Sequence, residues 1–267
     1  MKTLKKIVAM ILLLCLLLSA CAQIPADMQE GFSDETAPAS PEQTKEQEPI
    51  AQPETDPQAG PESPQAEKRS AFEVLPVPEV DPSSNFGVDI NVNISTIDQY
   101  LNLDGAVYRD MRMPVDPYDY AAIGGNSLLT GMLEGFTLIP YPYLAPCQNM
   151  PAELGEGYSG PTLFSINDQG NFVPNYKESV AILEQVFPKD QAILLMCGAG
   201  GYASMTKALL VNLGWDENLI YNIGGYWFYE GTHNIELIPE EEEGSGVYLF
   251  EDLDLFDIDF ARLTPVS

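Results

Sequence analysis

Cys197 has the most particular setting of the residues here that could carry a reaction. It stands in ILLMCGAGGYASMTKALLVNLG, where an apolar run ends and Gly198, Ala199, Gly200, Gly201 and Tyr202 lead into a helical pattern. A thiol so placed can serve as a nucleophile. The glycines let the backbone curl so that several N–H groups converge on one atom. The positive end of the following helix adds to that field. Both favour thiolate, the reactive form, which is a minor species at neutral pH for a free thiol titrating at about pH 8.5. The plainer reading is a buried, inert thiol, since cysteine is among the most buried residue types. A second chemical pattern, Asp110-x-Arg112, closes DGAVYRDMR.

The elements that would position these residues follow from periodicity. QAILLM holds the continuous apolar run of residues 192–196, the mark of a strand buried on both faces of a parallel sheet. Residues 106–108 and 219–221 read as further strands. NYKESVAILEQVFP places Val180, Leu183 and Phe187 on one helical face, with Pro188 as its stop. Met205, Ala208, Leu209 and Leu213 recur at helical spacing, and Gly214 is placed to cap that helix. Helix, strand, helix, strand with short connections predicts an α/β fold: an open parallel sheet flanked by helices. Cys197 then lies at the carboxyl end of a central strand, where such sheets place ligands.

Charge removes other functions. The chain has 267 residues, 12 Lys and Arg against 40 Asp and Glu, a net charge of -28 and a pI of about 4.1. Nucleic acid is not an expected partner, because phosphate neutralisation needs clustered cations. His233 is the single histidine, so Ser/His/Asp hydrolysis, Cys/His proteolysis and histidine-rich zinc sites would all depend on it. No metal or other cofactor is called for.

CGAGGYASMTKALLVNLGW…LIYNIGGYWFYEG resembles the active-site half of a rhodanese domain, and YRDMRMPVDPYDYAAIGG resembles that family's earlier Asp-x-Arg segment. The similarity covers roughly residues 94–231 and is looser in its first half. The resemblance implies a rhodanese-like sulfurtransferase, in which Cys197 takes a sulfane sulfur from a donor, carries it as a persulfide and passes it to a thiol or other nucleophilic acceptor. Residues 198–202 would cradle the persulfide, and Asp110 and Arg112 would be a structural ion pair near the sheet edge. One departure stands out: thiosulfate-using rhodaneses commonly carry Arg where this chain has Tyr202, and often Ser where it has Ala203. Without a fixed guanidinium the best bidentate partner for a doubly charged oxyanion is missing. Thiosulfate is therefore expected to be a poor donor; polysulfides, persulfides or a protein partner fit better, with Tyr202 and Tyr226 as lining groups. The loop is also one residue short of the Cys-x5-Arg phosphatase loop and lacks its arginine. The alternative is a non-catalytic rhodanese-like module that presents a binding surface.

Cys147, in YLAPCQNMPAELGEG, could resolve a persulfide or protect Cys197 as a disulfide in an oxidising compartment. An unpaired loop thiol is the plainer case.

The N-terminus carries an address. Lys2, Lys5 and Lys6 precede the apolar residues 7–18, a run shorter than the roughly 20 residues a membrane span needs. Leu18-Ser19-Ala20-Cys21 resembles the lipobox of bacterial lipoproteins, which implies a signal peptide over residues 1–20 and lipidation of Cys21. An ordinary secretory peptide cleaved after Ala20 is the alternative. Residues 21–85, rich in Pro, Glu, Gln and Ala, lack groups to bury and read as a disordered linker. The expectation is an extracytoplasmic monomer, lipid-anchored to a bacterial cell membrane, with its domain over residues 86–267.

Three further features read as structural. Trp227, Phe228 and Tyr229 would pack the domain end. VYLFEDLDLFDIDFARL alternates acidic and apolar residues and suits an edge hairpin, with Asp252, Asp254, Asp257 and Asp259 lacking the glycine turn and closing Glu of a calcium loop. The run of glutamates from Glu240 to Glu243 reads as a solvated loop.

Overall fold

The computed structural model describes residues 68–251 and 253–266. The signal-peptide run, Cys21 and residues 22–67 of the linker lie outside the described residues. Strands β1 (Ala106–Asp110), β2 (Gly131–Leu133), β3 (Thr137–Leu138), β4 (Phe164–Ile166) and β5 (Phe172–Pro174) precede β6 (Ala192–Cys197) and β7 (Ile220–Gly225). After these come β8 (Asn234–Glu236), β9 (Glu240–Glu241) and β10 (Tyr248–Leu249). Four of them form an all-parallel sheet in the order β3-β1-β6-β7. The other strands make two-stranded antiparallel pairs, β2 with β8, β4 with β5 and β9 with β10.

The apolar run at residues 192–196 becomes β6, the strand flanked by β1 and β7 and buried at every position. Its side chains alternate between two cores, as the strand period of two requires. Ile193, Leu195 and Cys197 join one cluster, with Leu183 and Phe187 of the helix α3 region (Ser179–Val186) and Leu209 and Leu210 of α4 (Gly201–Asn212). Tyr141 and Leu144 of the one-turn α2 (Tyr141–Leu144) complete that layer. Ala192, Leu194 and Met196 join the second, with Val92, Ile97, Leu103, Phe136 and Ile223. Helices therefore cover one face. The other is covered mainly by turns of the N-terminal segment and by the short α1 (Ala71–Val74).

That second layer moves the start of the folded body upstream of residue 85. Ala71 is fully buried. The Asp89 carboxylate accepts backbone N–H groups of Glu79, Asn91 and Val92 at 2.7, 2.8 and 2.7 Å, and Asp89 N–H reaches Asn222 O on β7 at 2.8 Å. Composition missed this because residues 68–92 bury few side chains and hold their place through such backbone bonds.

The expected helix faces hold except at Ala208 and Val180. In α4 the buried positions are Tyr202, Ala203, Thr206, Leu209 and Leu210, while Ala208 is exposed. In α3, Leu183 and Val186 are buried and Val180 is 39% exposed. Gly214 ends α4 as predicted, in the left-handed region at φ 92°, with its N–H on Val211 O at 3.0 Å. The C-terminal expectation is corrected as well. The hairpin is β9–β10, so Glu240 and Glu241 lie in an exposed strand. The acidic stretch after it runs beside β3, with Leu255 in a parallel bridge to Leu138 and Asp254 accepting from Thr137, and buries Ile258 in the helix-side core. Its alternation marks a chain laid along the edge of β3, not a strand returning on itself.

Candidate functional site

Cys197 is the last residue of β6, and α4 starts at Gly201, so three residues make the turn. Gly200 takes φ 103°, where a side chain would strain the backbone, and this aims its N–H at the Cys197 sulfur at 3.0 Å. Gly225 lies beside Cys197 in register, and a Cβ there would come within 2.1 Å of Gly198 O. The close approach of β7 to the loop thus depends on glycine.

Asn222 supports this turn from β7. The register shift between Leu195 and Met196 leaves Ile223 as an extra residue, a β-bulge. The buried Asn222 amide donates to Gly200 O at 3.1 Å and Phe86 O at 2.8 Å, and its oxygen accepts from Gly224 N–H at 3.0 Å. One side chain so ties the thiol loop, the bulged strand and the N-terminal segment together.

The thiol is 3% exposed and lies against a cavity of about 300 Å³. Burial pushes its pKa above the ordinary thiol value, and the Asp110 carboxylate acts in the same direction. The N–H groups of Ala203, Gly200 and Ala199 oppose that rise without overcoming it. The expected depression of the thiol is therefore corrected: the donors are in place, but loss of water outweighs them.

Asp110 and Arg112 form the expected ion pair, with Nη2 to Oδ2 at 2.5 Å and Nε 3.0 Å from each oxygen. Its place differs from expectation. β1 is internal to the sheet, and the pair stands at its carboxyl end beside the cavity, which Arg112 lines. Nη2 also donates to Gly131 O at 2.8 Å, and the guanidinium lies 4.1 Å from the Tyr226 ring centroid. Tyr226 thus backs Arg112 and bonds Asn234 through its hydroxyl.

Tyr202, where the family resemblance expects arginine, is 5% exposed and lines the cavity. Its hydroxyl donates to Asp116 Oδ2 at 2.9 Å, and the Tyr120 hydroxyl lies 3.1 Å from the same oxygen and 2.8 Å from that of Tyr202. Burial raises the Asp116 carboxyl above the usual range against the hydrogen bonds it accepts from Tyr118 N–H and the two phenols. Burial, then the Asp116 charge, drives both phenols well above their ordinary values. Asp116 and Tyr120 were not singled out from the sequence, although PVDPYDY concentrates carboxylates and phenols ahead of the loop.

Comparison of the chain with protein-family models, curated proteins and solved structures returns no match.

Trp227 is a site residue and not only packing. Its ring covers Gly198, where a Cβ would lie 2.5 Å from it, and the Trp227 backbone N–H donates to Gly198 O at 3.1 Å. Phe228 is 64% exposed, and the Tyr229 hydroxyl reaches Asp98 at 2.6 Å. Cys147 is a free, half-buried thiol beside Tyr202, pushed up to about 11 mainly by burial; Cys197 is free as well. His233 pairs with Glu134 at 3.4 Å and is not among the residues that line the cavity. Among the described residues, no three His, Cys, Asp or Glu side chains converge to hold a metal. Asp254 accepts from Thr137 at 2.9 Å and Asp259 caps the turn at Ala261; Asp252 lies outside the described residues.

Proposed function

We propose that this chain is a membrane-anchored, extracytoplasmic rhodanese-like sulfurtransferase that moves a sulfane sulfur through Cys197. The observation that carries the reading is the sulfur at the end of an internal parallel strand, 3.0 Å from the Gly200 N–H and open to a cavity. In the first half-reaction the Cys197 sulfur attacks the sulfane sulfur of a donor R–S–SH. The new S–S bond forms as the donor's breaks, and the proton of the Cys197 thiol leaves with R–SH. An acceptor thiol then attacks the outer sulfur, takes it as its own persulfide and returns Cys197 as thiol. Sulfane sulfur keeps its oxidation level throughout, so no external oxidant is needed. The cradle of N–H groups holds the outer sulfur when it bears charge.

Treating the purified full chain with inorganic polysulfide and weighing it intact tests this. A gain of one sulfur atom, lost in Cys197→Ser, is the expected result. The competing reading, a binding module, is favoured by the raised thiol and by a phenol network where an arginine would stand. It predicts no sulfur gain at Cys197.

The anchor is proposed on Cys21 and its flanking residues alone. Among the described residues no helix is long and apolar enough to cross a membrane. Cells fed a palmitate analogue are expected to label the wild-type chain and not Cys21→Ala. Equal labelling of the two would remove the anchor from the proposal.

A further inference from the structure

We infer that the sulfur donor at Cys197 is an organic persulfide with an apolar body, not thiosulfate; the inference rests on the sulfurtransferase reading. Its basis is a mismatch between the cavity and an inorganic dianion. A space of about 300 Å³ is at the scale of sites that enclose small organic ligands, far more than a single sulfur oxyanion fills. Its walls include Met113, Leu129, Leu154, Met205 and Trp227. Thioether and indole groups take up irregular apolar or aromatic bodies and supply no positive charge to pair with a sulfur oxyanion.

Charge argues the same way. Among the described residues, Arg112 is the only cationic side chain lining the cavity, and its guanidinium is already shared by Asp110, Gly131 O and the Tyr226 ring. Asp116 puts a carboxyl group into the same walls. A dianion would meet no uncommitted cation there. A persulfide R–S–SH carries at most one charge, at the end that must reach the N–H cradle, while its body leaves water against the apolar walls. Attack of the Cys197 sulfur on the outer sulfur then releases R–SH into the same cavity.

The experiment compares benzyl hydropersulfide, inorganic polysulfide and thiosulfate at equal concentration on the full chain. Sulfur gain at Cys197 is read by intact mass, and each rate is divided by that donor's rate with N-acetylcysteine. The expected result is a normalised rate at least tenfold higher with benzyl hydropersulfide than with thiosulfate. Ile123, 53% exposed at the cavity wall, allows a neutral polar group to be added without opening the core. Ile123→Gln is expected to lower the ratio of benzyl to polysulfide rates threefold or more. Sulfur gain with thiosulfate matching or exceeding the benzyl rate would overturn the inference and leave the sulfurtransferase standing. Sulfur gain with none of the three donors would overturn both.

Discussion

Arg112→Ala is expected to destabilise the fold by about 3–5 kcal/mol, measured by urea unfolding near neutral pH. Asp110 is fully buried, and Arg112 supplies three of the hydrogen bonds to its carboxylate. Without the guanidinium, that carboxylate keeps the backbone N–H of residue 112, at 3.1 Å, and stays in the interior. Gly131 O loses its 2.8 Å donor and the Tyr226 ring its cation. Removing both charges together should cost less than removing one, so Asp110→Leu with Arg112→Met is expected to recover much of the loss. Arg112→Lys should resemble the alanine variant more than the wild type, because an ammonium cannot reproduce the fork.

The same substitution should be felt at the thiol. Asp110 already raises the Cys197 pKa, and removing its partner leaves that field uncompensated. Alkylation of Cys197 in native buffer is then expected to slow in Arg112→Ala. A stability loss below about 1 kcal/mol, with unchanged alkylation, would mean that the pair neither holds the sheet end nor shapes the site.

Local signals in the sequence carried far where one segment decides its own fate. A short continuous apolar run between turn signals marks a strand with both faces covered, and β6 is that strand. Gly214 after a helical stretch marks a left-handed stop. Asp110-x-Arg112 is a pair two residues apart, so its bond is nearly local. What stayed hidden depends on distant partners. Tyr202 meets Asp116 across 86 positions and Asn222 meets Phe86 across 136, and no periodicity reports such meetings. α4 is apolar at Met205, Ala208, Leu209, Leu210 and Val211, nearly all round, so spacing could not choose its buried face. The site settles that choice: burial of Tyr202 and Ala203 beside the thiol fixes the rotation of the first turn. The sign of the thiol's shift was hidden for a related reason, since donors are legible in CGAGG but the depth of burial is not.

That burial gives the second large effect, a steep loss of stability in base. Cys197, Tyr120 and Tyr202 all have folded pKa values raised first by loss of water. A raised value means that the folded chain keeps protons that the unfolded chain has released. The stabilising contribution is complete below the unfolded values, about 8.5 for a thiol and 10 for a phenol, and is lost as pH climbs past them. Each such group costs about 1.4 kcal/mol per pH unit in that range, so the three together cost about 4 kcal/mol per unit above pH 10. The net charge of -28 adds general repulsion, which any variant that keeps the charge shares. Tyr202→Phe isolates the site. It should lose about 1.5–3 kcal/mol near neutral pH, because Asp116 loses a charge-assisted donor at 2.9 Å. Its stability should then fall less steeply than that of the wild type between pH 10 and 11, by about 1.4 kcal/mol per unit. Parallel slopes for the two proteins in urea unfolding at those pH values would show that the Tyr202 phenol ionises in the folded state, and that the Asp116 network does not hold its proton.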